Sequence, residues 1–515
     1  MMRLKGVNLT LLLLLIIGGV PRLAHIGYRS FWADEAWFAN VATGPFENIF
    51  IGSRGELGHP LQPGFALCIW LWAHITKASS ETIFRIWPEL FGIATILIAY
   101  YLVKMLWNKN AALLAAGCAC GWELLVHFSR ELNQYSGAIF FVFAMLMLAE
   151  KFRERPSVTK GAIFAIVSFL VISYSFQVSS IVFAAYLILG ISFFFDPNLR
   201  KSGLVSYIVS ALVFGLFGIL SWFLMLKSQW TIGLDSGGWG WRPCFVSFSK
   251  LDALNELLKS AVGYLSLPYD GALLAFSLIG LFLWPKGARK KMLLYFVSVL
   301  IIALILSAFG LQPLCHRQIL FLLPFLILGA TGVLGFVIDR LKLKSAGPLA
   351  IVFALFLLAP NVEKYVFAPQ KLKAEESREV IARLKEVCRK SDVLYVYYGG
   401  VYAFNYYGRG IKCKTYIGTN YRGEPNLYLE EIQPHIFEGE RFFILFTHAL
   451  QSEVDDILGY LGEFGDLELV SEDSGAAALV LIPDRSHNPD LKKSAPSQEG
   501  RGQPGTIWSY PKRGE

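Results

Sequence analysis

Two adjacent carboxylates, Asp34 and Glu35, stand in the segment Tyr28-Arg-Ser-Phe-Trp-Ala-Asp-Glu-Ala-Trp37, directly after the first apolar run of the chain. Acidic residues next to a bilayer are costly, so they usually have a function there. The flanking Trp32 and Trp37 favour the headgroup level of a membrane. A carboxylate at that depth can act as a general base toward an acceptor hydroxyl. The segment therefore indicates an enzyme that works on a lipid-borne substrate.

Three further polar groups are expected on the same membrane face: His59-Pro60, Ser129-Arg-Glu-Leu-Asn-Gln-Tyr135 and Cys315-His-Arg-Gln318. A guanidinium binds a phosphate through two parallel hydrogen bonds. Arg130 and Arg317, together with the carboxylates, therefore suit an anionic lipid headgroup and a hydroxyl acceptor.

Each of these residues also has a structural explanation. Asp34 could cap an interfacial helix that starts at Glu35, because Asp is a favoured capping residue. His59 could be an ordinary loop residue. Arg130 and Arg317 could extend from helix ends toward the membrane surface. The functional interpretation depends on all of them lying at one depth.

The composition defines the class of protein. Of the 515 residues, 55% are hydrophobic and only 17% are charged, and the mean hydropathy is +0.49. Such a chain is a polytopic membrane protein, and its net charge of +8 needs no nucleic acid partner. Its apolar runs lie near 7–23, 60–76, 85–106, 111–129, 135–150, 160–174, 177–195, 203–226, 267–284, 292–310, 318–338 and 347–361.

The run 60–76 decides the topology. If it crosses the membrane, Lys151–Arg155 and Lys286–Lys291 face outward, against the Lys/Arg bias of cytoplasmic loops. If it lies in the interface, every basic loop falls on the inner side. Two prolines and several polar residues also make it a poor span. We expect about eleven spanning helices, an inner N-terminus that is a retained signal anchor, and an outer C-terminus.

This topology places four segments outside: 24–84, Arg130–Gln134, 227–266 and Gln312–Gln318. The loop 227–266 contains three tryptophans, and we interpret it as an interfacial or lid-like loop. Residues 1–361 then form the membrane domain, whose first outer loop 24–84 carries the carboxylate pair.

From residue 362 the composition changes to that of a small extramembrane α/β domain, 362–484. Glu375–Lys390 and 452–463 are predicted helices, and Asp392–Tyr398, Arg441–Phe446 and Ala477–Ile482 are predicted strands. The polar tail 485–515 is predicted to be disordered.

The seven cysteines leave alternatives open. Cys118 and Cys120 lie in an apolar run and are expected to be packing residues. Cys244 with Cys315, or Cys388 with Cys413, could pair if their regions face an oxidising compartment.

In these motifs the chain resembles the membrane glycosyltransferases of the C-type fold, in the branch of the protein O-mannosyltransferases and the lipid A aminoarabinose transferase. The resemblance covers roughly residues 1–360 and rests on the Asp-Glu pair after the first span, an interfacial helix opened by His-Pro, and the Arg-x-x-x-x-Tyr spacing of Arg130 and Tyr135. It implies a polyprenyl-phosphate-linked sugar donor and action on the outer face of the cell membrane.

The resemblance also implies roles. Asp34 becomes the catalytic base and Glu35 a neighbour that orients the base or the acceptor, while His59, Arg130, Tyr135 and Arg317 become donor-phosphate residues. Two elements depart from the family pattern: His-Pro-Pro is His59-Pro60-Leu61 here, and the usual Arg-Met-Tyr element is replaced by Glu131-Leu-Asn-Gln-Tyr135.

The expected partners are thus a polyprenyl-phosphate-linked sugar, membrane lipids and an acceptor protein, lipid or glycan. The sequence requires no cofactor, although paired carboxylates could hold a divalent cation. Two other classes stay open: a transporter or flippase of a lipid-linked or anionic solute, and an inactive scaffold. Charges in the middle of spans, which a transporter needs, are few in this interpretation: Glu123 and His127.

Overall fold

The structure, a computed structural model, describes residues 9–51, 62–221, 244–246, 251–265 and 271–487. The chain forms two compact units. One contains Met1–Ile26 and Val41–Ala368, and the other contains Gly27–Asn40 and Pro369–Glu515. The two units divide at 368/369, whereas the predicted domain boundary was at 361/362. The segment with Asp34 and Glu35 groups with the C-terminal domain rather than with the helices that flank it in sequence.

The first unit is built of helices, numbered here in chain order. They are α1 (Leu9–Leu23), α2 (Ala33–Thr43, shared with the second unit), α3 (Asn48–Ile51), α4 (Pro63–Thr76), α5 (Glu81–Leu106), α6 (Lys109–Gly121), α7 (Glu123–Ser129), α8 (Tyr135–Glu154), α9 (Val158–Tyr174), α10 (Ser179–Phe195), α11 (Pro197–Ser221), α12 (Leu251–Leu265), α13 (Ala272–Leu281), α14 (Lys286–Ala308), α15 (Leu323–Arg340) and α16 (Gly347–Val362).

Every predicted apolar run contains a helix. Among the described residues, six helices are long and apolar enough to cross a membrane, or seven if α6 and α7 form one span, and shorter apolar helices accompany them. The run 111–129 is not one straight helix, because α6 and α7 meet at Trp122 with a bend of 58°. The 14 residues of α4 extend about 21 Å at 1.5 Å per residue, less than a hydrocarbon core of about 30 Å. The number of about eleven spans stays a prediction.

Small residues let neighbouring helices approach closely, as is common where helices pack without a hydrophobic driving force. A Cβ added to Gly280 of α13 would lie 1.8 Å from the carbonyl oxygen of Gly329 in α15. A Cβ on Gly117 of α6 would lie 2.5 Å from the carbonyl oxygen of Ala350 in α16. No side chain fits at either glycine, so these contacts fix the register of both helix pairs.

The second unit contains a five-stranded sheet with order β2-β1-β3-β5-β4. Its elements are α17 (Ser377–Val387), β1 (Val393–Val396), α18 (Val401–Tyr407), β2 (Lys414–Ile417), α19 (Pro425–Ile432), β3 (Phe442–Thr447), α20 (Gln451–Leu461), β4 (Gly465–Asp473) and β5 (Ala476–Pro483). β1 pairs in parallel with β2 and β3, while β5 is antiparallel to β3 and β4. The three predicted strands and both predicted helices are present, and β2 and β4 add two strands that were not predicted. The predicted disordered tail lies outside the described residues from position 488 onward.

Both cysteine pairs that the sequence left open form disulfides. Cys244 bonds to Cys315 in the first unit, and Cys388 bonds to Cys413 in the second. Cys118 and Cys120 are free and buried, as expected for packing residues.

Candidate functional site

Asp34 and Glu35 lie in the first turn of α2, which begins at Ala33 rather than at Glu35. Asp34 therefore occupies a helical position instead of the capping position. It is half-buried, whereas Glu35 is fully buried and its carboxylate lies 3.4 Å from the guanidinium of Arg29. A negative charge in the first turn is favourable because of the helix dipole. The difference in exposure makes Asp34 the better candidate for contact with a substrate.

Side chains of the C-terminal domain bind the backbone that leads into α2. The amide of Ser30 donates to Glu376 at 2.8 Å, that of Phe31 to the hydroxyl of Tyr407 at 2.8 Å, and that of Ala33 to Glu375 at 3.0 Å. Further along α2, the side-chain amide of Asn40 donates to the carbonyl of Tyr402 at 2.8 Å. The start of α2 is thus held by residues more than three hundred positions away in sequence.

Two groups of this domain interact electrostatically with Asp34. Burial raises the pKa of Tyr402, and the charge of Asp34 raises it further. Nδ1 of His448 is hydrogen-bonded to a carboxylate oxygen of Glu375 at 2.6 Å, and the charge of Asp34 raises the pKa of His448. Glu375, Tyr402 and His448 therefore surround the start of the helix that carries the candidate base.

In the membrane unit, Arg130 binds the C-terminal end of α1. Its Nη1 donates to the carbonyls of Pro21, Arg22 and Ala24 at 2.5, 2.8 and 2.7 Å, and its guanidinium lies 5.1 Å from the ring centre of Tyr365. These carbonyls are among those that a helix end leaves without partners. Arg130 is buried, so it has a structural role in addition to any role toward a phosphate.

The structure brings Tyr135 and Arg317 together. The guanidinium of Arg317 lies 5.6 Å from the ring centre of Tyr135, and Arg317 belongs to a short 3-10 helix, His316–Leu322, that leads into α15. Next to it, Gln318 accepts a hydrogen bond of 2.6 Å from Gln177. The Cys244–Cys315 disulfide immediately precedes this helix and restrains its start.

The sequence interpretation did not name several buried charges in the helices, among them Arg22, Arg85 and Glu89. Arg22 donates to the carbonyls of Gly18, Ala119 and Cys120, and Arg85 donates to that of Ile26 at 2.9 Å. Glu89 interacts electrostatically with Arg22 and Arg130, and no described hydrogen-bond donor contacts its carboxylate oxygens. All three lie toward the ends of the apolar runs 7–23 and 85–106, so the expectation that mid-span charges are few stays a prediction.

For the two charges in α5, Arg85 and Glu89, the sequence contained a signal. Glu81, Arg85 and Glu89 follow one another at intervals of four and so share one face of α5. Charged residues repeated on one face of a span point toward the interior of a helical bundle.

The predicted His59 lies outside the described residues. Within the described part of the chain, no group of three or more His, Cys, Asp or Glu side chains is placed to hold a metal ion.

No protein-family model matches the sequence, and no curated protein matches it. In structure, the chain is similar to ArnT from Cupriavidus metallidurans in the apo state, with a TM-score of 0.55 at 10% identity over 95% of this chain and 99% of that one. It is equally similar to the same protein bound to undecaprenyl phosphate, with a TM-score of 0.56 at 10% identity over 92% and 97% of the two chains. The C-type fold of membrane glycosyltransferases, predicted from the sequence, is thereby confirmed.

Proposed function

We propose that this protein is an integral-membrane glycosyltransferase that moves a sugar from a polyprenyl-phosphate-linked donor to an acceptor on the outer face of the membrane. The observation that carries the proposal is the fold shared with ArnT, a lipid A aminoarabinose transferase, over 92% or more of the chain. One of these ArnT structures is bound to undecaprenyl phosphate. The half-buried carboxylate at the start of α2 supplies a candidate base.

In the proposed reaction, Asp34 takes the proton of an acceptor hydroxyl or amine while the acceptor attacks the anomeric carbon of the sugar. The bond between that carbon and the phosphate oxygen breaks, and the polyprenyl phosphate leaves from the opposite side with inversion. Arg130 and Arg317, with His59 and Tyr135, are proposed to stabilise the negative charge of the leaving phosphate. Glu35 is proposed to act through the position of Asp34, because its side chain is fully buried beside Arg29.

The distribution of charge and of disulfides supports the proposed orientation. Basic residues cluster at the junctions of α5 with α6, α8 with α9, α10 with α11, α13 with α14, and α15 with α16, in the connecting turns or in the adjacent helix ends, as expected near the cytoplasmic face. Both disulfides fall in segments assigned to the other side, and disulfides persist in oxidising compartments. We therefore place the N-terminus in the cytoplasm and the C-terminal domain outside the cell membrane.

A transporter or flippase of a lipid-linked or anionic substrate is the second candidate. The buried charges Arg22, Arg85 and Glu89 favour it, because ionisable residues inside spans often line substrate paths. A transporter moves its substrate unchanged, whereas a transferase releases free polyprenyl phosphate. Analysis of the lipid product therefore separates the two.

The test of the proposed function begins with mass analysis of envelope glycoconjugates and proteins from cells with and without this protein, which identifies the sugar and the acceptor. Turnover of purified Asp34→Asn with saturating donor is then expected to fall by about two or more orders of magnitude, on the scale of general-base catalysis. Asp34→Glu is expected to fail largely as well, since an added methylene displaces the carboxylate. Glu35→Gln should have a smaller effect.

Asp456→Asn is the matched control, because Asp456 is an exposed carboxylate on α20. It should behave like the wild type. If Asp34 serves only the stability of α2, Asn in its place is nearly neutral. If Asp34→Asn turns over like the wild type, the proposed mechanism is wrong.

A further inference from the structure

The order of the parallel strands creates a particular edge in the C-terminal domain. β1 is followed in sequence by β2 on one side, and β3 then returns to its other side. The carboxyl ends of β1 and β3 therefore flank a topological switch point, where open α/β sheets place their ligands. A Cβ on Gly399, just beyond β1, would lie 2.6 and 2.9 Å from the carbonyl oxygens of Thr447, the last residue of β3, and His448, the residue after it. The two loops at this edge are thus in close contact.

His448, the first residue after β3, is fixed at this edge. Its φ of 51° lies in the left-handed region, which non-glycine residues seldom adopt and which is more frequent at functional sites. Arg422 donates to its carbonyl at 2.9 Å. Nδ1 of His448 is hydrogen-bonded to Glu375. Backbone and side chain are therefore both held.

Glu375 connects His448 to the start of α2. One carboxylate oxygen of Glu375 contacts Nδ1 of His448 at 2.6 Å, and the other accepts the amide of Ala33 at 3.0 Å. Ala33 directly precedes Asp34. A carboxylate that accepts an amide at a helix N-terminus satisfies a donor that the helix itself leaves without a partner, and it is favoured by the helix dipole.

We propose that Glu375 and His448 form a positioning pair that fixes the start of α2 and thereby the location of the Asp34 carboxylate. The proposal rests on the proposed function of Asp34 as the base. Glu375 holds the helix start through the amide of Ala33, and His448 holds Glu375 in the orientation that this bond requires. The C-terminal domain thus contributes positioning residues to the transferase reaction.

Electrostatics makes the pair sensitive to pH. Burial lowers the pKa of His448 and the charge of Arg422 acts in the same direction, but the hydrogen bond and charge of Glu375, with the charge of Asp34, raise it above its ordinary value. The imidazolium form strengthens the bond to the carboxylate. The imidazolium form therefore stabilises the start of α2 fully below the ordinary histidine pKa of about 6.5. This stabilisation is lost as the pH rises through the raised pKa of His448.

The first measurement is hydrogen exchange of the peptide 28–40 in the full-length protein in detergent, between pH 5.5 and 8.5 and corrected for intrinsic exchange. In the wild type, protection should fall as the pH rises. In Glu375→Gln, exchange should be about tenfold faster at the lower pH values, since the amide of Ala33 loses a charged acceptor. In His448→Gln, which keeps a hydrogen-bond donor but does not titrate, the decline with pH should disappear.

His435→Gln is the matched control. His435 forms a hydrogen bond of 2.8 Å to Glu438 on the same domain, and neither residue is bonded to the segment 28–40 among the described contacts. This variant should keep the wild-type exchange profile. Wild-type exchange in Glu375→Gln, or an unchanged pH profile in His448→Gln, would overturn the proposal.

The second measurement is release of undecaprenyl phosphate from its sugar-linked form by the same variants. Glu375→Gln should lower kcat about tenfold to a hundredfold, the scale of a displacement of about 1 Å, with the KM for donor within about twofold. An active Asp34→Asn enzyme overturns both the proposed function and this inference. Inactive Asp34→Asn beside fully active Glu375→Gln overturns the inference alone.

Discussion

Arg130 has two proposed roles that one set of variants can separate. Its Nη1 donates to three carbonyls at the C-terminal end of α1, and it is also a proposed phosphate ligand. Two hydrogens on one nitrogen can serve about two of these carbonyls fully, and a hydrogen bond from a charged group contributes about 1.5–3 kcal/mol. Arg130→Ala is therefore expected to lower the free energy of unfolding by about 3–5 kcal/mol. Arg130→Lys should recover only part of the lost stability, because an ammonium keeps the charge but lacks the planar fork of a guanidinium.

The phosphate role predicts a separate loss of donor affinity. Removal of one charged hydrogen bond to the phosphate, again about 1.5–3 kcal/mol, corresponds to a Kd raised about tenfold to a hundredfold. Unfolding in detergent and titration with a polyprenyl-phosphate sugar measure the two losses independently. Arg155→Ala, a change at an exposed arginine at the end of α8, serves as the control for both.

The combinations of results are informative. A loss of stability with wild-type affinity would leave Arg130 with its structural role alone. Wild-type stability together with wild-type affinity in Arg130→Ala would refute both parts of the reasoning, because the three carbonyl contacts would then contribute nothing measurable.

Two further predictions concern topology and the buried charges. In a background without free cysteines, Glu154→Cys should react with an impermeant thiol reagent only from the inner side and Asn420→Cys only from the outer side, and labelling of both from one side would contradict the proposed orientation. Glu89→Gln should change the free energy of unfolding by less than about 1 kcal/mol, because a buried carboxyl that no described donor contacts is costly to ionise. Chemical unfolding in detergent measures the effect, and a loss of about 3 kcal/mol in Glu89→Gln would mean that this carboxylate is charged and neutralises the neighbouring arginines.

The helices were predictable from the sequence because their signal is long and local. Each apolar run contains a helix, and the amphipathic segment Glu375–Lys390 forms α17 (Ser377–Val387). The break at Trp122 was not predicted, since the run 111–129 is apolar apart from Glu123 and His127 and this pattern does not by itself require a bend. β4 was missed for a related reason: it is an edge strand with alternating acidic residues, a composition that suits edges but weakens the strand signal.

In the candidate site, too, local features were predictable and contacts between distant positions were not. The carboxylate pair was recognised because its chemistry is local: two acids beside tryptophans after a first span. The bond between Tyr407 and the amide of Phe31 and that between Glu375 and the amide of Ala33 join positions more than 340 residues apart, and no spacing in the sequence relates them. The role proposed for the C-terminal domain could not be inferred without the structure for this reason.

The hydrogen bonds at the start of α2 indicate what that domain does. Three amides, those of Ser30, Phe31 and Ala33, lie in an irregular stretch that enters a helix, where the backbone has no partners of its own. All three donate to side chains that the second unit supplies. In other open α/β sheets a ligand occupies the switch point between diverging strands. Here a residue from that edge, His448, is joined through Glu375 to the protein's own chain, one residue before Asp34. A domain built to bind a small molecule would leave that edge to its ligand, so the bonding pattern favours a domain that holds the segment with the proposed base in place.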